Sequence, residues 1–181
     1  MSTPRLRRLQ SDYESVQYEF SGHPHVKAVF EQASPPEIYY ITYYVPGLQL
    51  SGNSPVELRE HRVVFKLGRE YPQLKPQCEI KTPIFHPNFN GGVVCIGDKW
   101  TAGGETLVDL IVKVGDMIQY KVYNLKSPMD RKAAQWAQKN EHLFPVGNID
   151  LYRKDPASSG KDDWEIEFHT PSDFSIEIHR G

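Results

Sequence analysis

Between His25 and Lys81 the hydrophobic pattern repeats every two residues in four separate runs, with no segment of helical period between them. In the first, Val26, Ala28 and Phe30 alternate with Lys27, Val29 and Glu31. The second, Ile38 to Val45, is rich in Tyr and β-branched residues and ends at a Pro46-Gly47 turn signal. From His61 to Gly68, Val63, Phe65 and Leu67 face one way while Arg62, Val64 and Lys66 face the other. In the last run, Gln77 to Lys81, Cys78 and Ile80 share a face. Parallel strands need a crossover of a dozen or more residues, usually a helix. Runs that follow one another without one predict a four-stranded antiparallel meander, although Gln49 to Glu60 is longer than a minimal strand connection.

Helical period flanks the meander on both sides, which makes the fold class α+β. Leu6, Leu9, Tyr13 and Val16 recur at helical spacing and leave Arg5, Arg7, Arg8 and Asp12 on the other faces. Pro4 suits a first helical position behind Ser2 or Thr3 as the cap. The basic cluster opposes the helix macrodipole, so helix stability does not account for it; a solvated face does. Later, Leu107, Leu110, Ile111, Val114, Met117 and Ile118 form a broad stripe, widened by Val108 and Val112, behind a Thr106–Asp109 capping-box pattern. A further helix start is read at Ser127-Pro128-Met129-Asp130, continuing through Ala133, Ala134, Trp136 and Ala137 toward Asn140.

Two segments break the periodicity. Thr82 to Glu105 is rich in Pro, Gly and Asn, and so long an irregular stretch inside a domain is usually functional. After Phe144-Pro145 the texture changes again: residues 164–168 and 174–178 alternate strictly around Pro171-Ser172-Asp173, the pattern of a terminal β-hairpin that packs on the body. The expected organisation is a domain over residues 1–144 and an extension over 145–181.

Charge and composition narrow the function. Lys plus Arg number 21 against 23 for Asp plus Glu, a formal charge of −2, whereas a general nucleic-acid binder shows a basic excess. No apolar stretch approaches the roughly 20 residues of a membrane span, and the basic first ten residues lead into no apolar signal core. Two cysteines are too few for a disulfide framework or an all-Cys zinc site. The expectation is a cytoplasmic protein that binds neither membrane nor nucleic acid and holds no metal.

The two thiols read differently. Cys78 is in phase with Ile80 on a strand, where a free Cys fills core. Cys95 lies in the irregular segment within Gly91-Gly92-Val93-Val94-Cys95-Ile96-Gly97-Asp98, where glycines let a backbone or extended substrate approach. No His or Lys adjoins it in sequence to activate it, so on its own it reads as structural.

Its neighbours change that reading. Tyr71-Pro72-Gln73-Leu74-Lys75-Pro76 leads to Pro83-Ile84-Phe85-His86-Pro87-Asn88; Cys95 follows seven residues after Asn88, and Trp100 five after Cys95. This ordered set, with the preceding basic helix and meander and the two following helices, resembles the catalytic core of ubiquitin-conjugating enzymes over roughly residues 4–142. The resemblance implies that Cys95 accepts the carboxyl terminus of a ubiquitin-like modifier as a thioester and passes it to a target lysine. It gives Asn88 two roles, oxyanion stabilisation during amine attack or holding the active-site loop. An amide suits the first because it donates without adding charge. His86, Pro87 and Trp100 become supports of the site, and Arg5, Arg7 and Arg8 the surface that meets the activating enzyme. No cofactor is implied, since thiol-to-thiol acyl exchange is nearly balanced and ATP is used by the activating enzyme.

Departures from the family pattern accompany the likeness. The Cys95–Trp100 spacing is short, and Ser127-Pro128 stands where the family places an acid before a Pro, so Ser127 reads either as a site residue or as a helix N-cap. The hairpin replaces a helical ending. Such features are similar to divergent relatives in bacterial operons, which implies an operon-encoded partner and an antiviral setting. Two other functions compete: a non-catalytic modifier-binding module of the same fold, which would lack the Cys, and a thiol hydrolase using Cys95 and His86, which would need an orienting partner for the imidazole.

Overall fold

Pro4 opens helix α1 (Pro4–Phe20), and the Thr3 side chain caps it by accepting from the Leu6 N–H at 3.2 Å. The computed structural model describes residues 3–153; the hairpin expected over 164–178 lies outside the described residues. Leu9, Val16 and Phe20 form the buried stripe of α1. Two residues depart from the sequence reading: Leu6 is exposed, and Asp12, assigned to a polar face, is buried.

The four period-two runs become β1 (Val26–Phe30), β2 (Ile38–Tyr43), β5 (His61–Lys66) and β6 (Gln77–Ile80), joined antiparallel in that order. The connection that was too long for a simple turn is itself a hairpin, β3 (Gly47–Ser51) with β4 (Ser54–Leu58). Gly47, read as part of a turn, therefore begins a strand. The main sheet gains two short strands from the segment read as irregular, β7 (Phe89–Asn90) and β8 (Val93–Val94), giving the order β1-β2-β5-β6-β8-β7.

Register places apolar residues on one face row by row: Phe30 opposite Tyr39 and then Phe65 and Cys78, and Ala28 opposite Ile41 and then Val63 and Ile80. Helix α2 (Leu107–Ile118) supplies much of the covering layer, with Leu107, Leu110, Ile111, Val114 and Ile118 buried. Its start is the expected capping box, Thr106 accepting from the Asp109 N–H and the Asp109 carboxylate accepting from Thr106. The Tyr43 hydroxyl donates to the Ile111 carbonyl at 2.7 Å, pinning sheet to helix.

Helix α3 (Arg131–Lys139) starts later than the sequence suggested. Asp130, not Ser127, is the cap and accepts from the Ala133 N–H at 2.9 Å. Asp130 has an extended backbone (φ −112°, ψ 102°), and its N–H and that of Met129 both donate to the Pro87 carbonyl, at 3.0 and 2.8 Å, a tertiary tie that fixes the chain just ahead of the helix. The chain then crosses back over α2. Leu151 is buried in the core, the Tyr152 hydroxyl donates to Asp109 at 2.9 Å, and Lys121 bonds the Ile149 carbonyl.

Candidate functional site

The segment from β6 to α2 is shaped by a two-residue turn. Gly91 and Gly92 have φ of +57° and +83°, a pair of left-handed conformations that lets β7 and β8 close as a tight hairpin. Phe89 pairs with Val94, and just beyond them the Cys95 N–H donates to the Asn88 carbonyl at 2.9 Å. Seven residues of sequence separation thus become a direct contact at the open end of a hairpin. Cys95 is half-buried there, whereas Cys78 is buried on β6 and its thiol is pushed up by desolvation.

Asn88 is buried, and its carboxamide both donates to and accepts from one neighbour. Its Nδ2 donates to the Asn124 carbonyl at 2.9 Å, and its Oδ1 accepts from the Asn124 N–H at 2.8 Å. The loop carrying Cys95 is thereby stapled to the α2–α3 connection, a partnership that sequence spacing gives no means of seeing. Truncation leaves a buried donor and acceptor unpaired, each costing about 1–3 kcal/mol. We expect Asn88→Ala to lower unfolding free energy by roughly 2–3 kcal/mol in urea titration, with Asn124→Ala keeping the staple, whose Asn124 groups are backbone, and losing only the turn bonds its side chain accepts from the Lys126 and Ser127 N–H groups.

His86 and Pro87 sit beneath the same loop. The His86 ring packs edge-on to Phe89 (4.9 Å) and Tyr120 (4.5 Å), and its Nδ1 accepts from the Asn88 N–H at 3.1 Å. Full burial lowers the imidazole to about 3. Neutral, with Nδ1 already used, it ties down the turn and is no base for a thiol hydrolase. A pH dependence follows. The unfolded state takes up a proton near pH 6.5 that the folded state refuses until about pH 3. Its contribution is intact above pH 6.5 and falls as pH drops toward 3, by about 1.4 kcal/mol per unit. Urea denaturation at stepped pH should show this slope, and His86→Gln, which keeps an acceptor for Asn88, should reduce it by one proton's worth.

Trp100 and one of the three arginines, Arg8, meet in a single network. The Trp100 indole N–H donates to the Pro72 carbonyl at 2.8 Å, and its ring lies 5.8 Å from that of Tyr71. The Tyr71 hydroxyl donates to Asp12 at 2.5 Å, and Arg8 donates to Asp12 at 2.8 Å and to the Ala102 and Glu105 carbonyls. Arg8 therefore binds the segment between Trp100 and α2 to helix α1. Arg5 forms a bidentate pair with Glu37 at 3.1 and 3.0 Å and reaches the Gly68 carbonyl. Arg7 is the exposed one of the three, lining a shallow groove of about 470 Å³ with Leu6, Gln10 and Glu14.

Ser127 is exposed and belongs to a turn, its N–H donating to the Asn124 side chain at 3.3 Å. Sequence reasoning missed Asp12, Asn124 and the pair Lys75 and Lys113; the Lys113 ammonium lies 2.9 Å from the Ile96 carbonyl and that of Lys75 2.5 Å from the Gly97 carbonyl. Among the described residues, no three His, Cys, Asp or Glu gather into a group that could hold a metal ion, and no helix is long and apolar enough to cross a membrane.

Comparison with known proteins adds a family match. The family model described as "Ubiquitin-conjugating enzyme" matches residues 8–146, from α1 to just past α3. Among solved structures, a chain from Plasmodium yoelii proposed to be a ubiquitin conjugating enzyme superposes with a TM-score of 0.57. It is 17% identical, and the match covers 80% of this chain and 90% of that one, a likeness of fold. A search of curated proteins finds no match.

Proposed function

The chain belongs to the ubiquitin-conjugating enzyme family, and from that premise we propose that it carries a ubiquitin-like modifier as a thioester on Cys95 and transfers it to a lysine amine of a target. The observation that carries this reading is the contrast between the thiols. Cys95 is half-exposed at the mouth of the β7–β8 hairpin, tied by its N–H to Asn88, while Cys78 is sealed in the sheet.

In this mechanism the Cys95 sulfur, as thiolate, attacks the modifier's thioester on the activating enzyme; a new C–S bond forms and the activating enzyme's thiolate leaves. A lysine nitrogen then attacks the same carbonyl carbon, whose π pair moves to oxygen. The intermediate collapses to an amide, Cys95 departs as thiolate, and the amine proton passes to solvent. A few per cent of thiolate at neutral pH suffices for such a nucleophile. Asn88 bonds Asn124 through its carboxamide, which supports the loop-holding role among its two family roles. Arg7, on the exposed side of α1, is the cation assigned to the activating enzyme. A bacterial-operon partner and a role in antiviral defence extend this reading.

Incubation with an activating enzyme, ATP and a ubiquitin-like protein should give an adduct of one modifier mass that disappears on adding thiol reductant. A non-catalytic binding module would give complex formation with no covalent adduct. Arg7→Glu should slow charging with the melting temperature unchanged, and added salt should slow the wild type likewise, because exposed charges are screened beyond roughly 8 Å at physiological ionic strength.

A further inference from the structure

Two lysines far apart in sequence converge on the backbone immediately after Cys95. Lys113, on α2 and only 13% exposed, donates to the Ile96 carbonyl at 2.9 Å, with Glu105 3.9 Å from its ammonium. Lys75, from the turn before β6, donates to the Gly97 carbonyl at 2.5 Å and to the Asp98 carboxylate at 2.8 Å. Successive peptide carbonyls are thus each held by an ammonium group. Burying Lys113 to this extent is costly unless the charge has partners, so the arrangement is not an incidental surface contact.

The consequence lies on the opposite side of those peptides. Both are trans, and in a trans peptide the N–H points away from the carbonyl. With the Ile96 and Gly97 carbonyls drawn to the lysines, the Gly97 and Asp98 N–H groups face the other way. Among the described residues neither donates to a protein acceptor. Gly97 is buried with φ of +84°, a conformation that turns two successive peptides in this manner and that a side chain would strain. The Asn88 carboxamide, meanwhile, has its Oδ1 and one Nδ2–H committed to Asn124.

We propose that Lys75 and Lys113 are positioning residues for acyl transfer on Cys95, holding the 96–98 peptides so that the Gly97 and Asp98 N–H groups stabilise the oxyanion that forms when an amine attacks the thioester carbonyl. The proposal rests on the thioester reading and adds backbone donors to it. The ammonium groups touch no reacting atom. They fix backbone donors in advance, which is how such donors acquire their effect.

The test loads Cys95 without an activating enzyme, by exchange with a small glycyl-glycyl thioester, in which the Cys95 thiolate displaces the small thiolate. Decay of the acyl-enzyme is then followed with free lysine and with water alone. Lys113→Met, which keeps the stem and loses the donor, should lower the aminolysis rate at saturating lysine by about tenfold or more, with an unchanged KM for lysine. Hydrolysis should slow in proportion, since water attack passes through the same oxyanion. Lys113→Arg should restore most of the rate. Lys75→Met, at the more exposed position, should repeat the effect and serves if Lys113→Met melts early. Unchanged aminolysis and hydrolysis in both Met variants, or an effect on KM alone, would overturn the proposal. Should wild type fail to charge from activating enzymes yet show the Lys113 dependence on the small acyl group, the conjugation reading fails while the positioning role stands.

Discussion

Cys95→Ala should form no reducible adduct with a ubiquitin-like modifier at any enzyme concentration, while Cys78→Ala charges at close to the wild-type rate. Cys95 is reachable at the end of the β7–β8 hairpin and Cys78 is buried between the sheet and α2, its thiol pushed up by desolvation. A buried thiol that resists ionisation cannot attack a thioester joined to a whole protein. Removing the Cys78 sulfur leaves a small void costing about 1 kcal/mol, read as a shift in urea midpoint without change in slope. Serine at position 95 sharpens the assignment, because an ester formed there survives thiol reductant and is cleaved by base. An adduct on Cys95→Ala that reductant releases would move the nucleophile elsewhere and remove the basis for the conjugating reading.

Asp12→Ala should be the most damaging single change to stability. Asp12 is buried and accepts from Arg8 at 2.8 Å, from the Tyr71 hydroxyl at 2.5 Å and from the Leu107 N–H at 3.5 Å. Breaking a buried ion pair by removing one partner costs about 3–5 kcal/mol, because the other charge stays behind. For a chain of this size that is a fall of roughly 10 °C in melting temperature. Arg8→Met should lose a comparable amount, since the guanidinium also holds the Ala102 and Glu105 carbonyls. The double variant should lose much less than the sum, as expected of two residues in one network. Thermal melts of the four proteins complete the cycle. Additive losses would mean that Arg8 and Asp12 are not coupled and that Arg8 belongs, with Arg7, to the surface for a partner.

The arginines show where sequence reasoning reached its limit. Basic residues at a helix start oppose the macrodipole, and from sequence that leaves a solvated face or a partner surface. The structure supplies a third answer for two of them: Arg5 is answered by Glu37 and Arg8 by Asp12, residues contributed by other turns and other elements. Ser127 is a similar case. Its Ser-Pro-x-Asp pattern offers a good helix start, yet Asp130 caps α3, its own N–H and that of Met129 both held by the Pro87 carbonyl. Local propensity differences of about 1 kcal/mol yield readily to such tertiary bonds.

What the sequence determined by itself is whatever has a short-range physical cause. Period-two burial set four strands and their antiparallel order, the Thr106–Asp109 box set the start of α2, and the phase of Cys78 placed it in the core. The His-Pro-Asn run, the Cys and the Trp, in order and spacing, located the candidate site along the chain. Only the tertiary structure decided what those residues touch. The Asn88–Asn124 staple spans 36 residues, the Lys113–Ile96 contact 17 and the Arg8–Glu105 contact 97. Each is a hydrogen bond from a side chain to a backbone group, and a backbone carbonyl or N–H looks the same at every position of a sequence. Its availability depends on which peptides the fold has left unpaired, and that is settled only when the sheet and helices have packed.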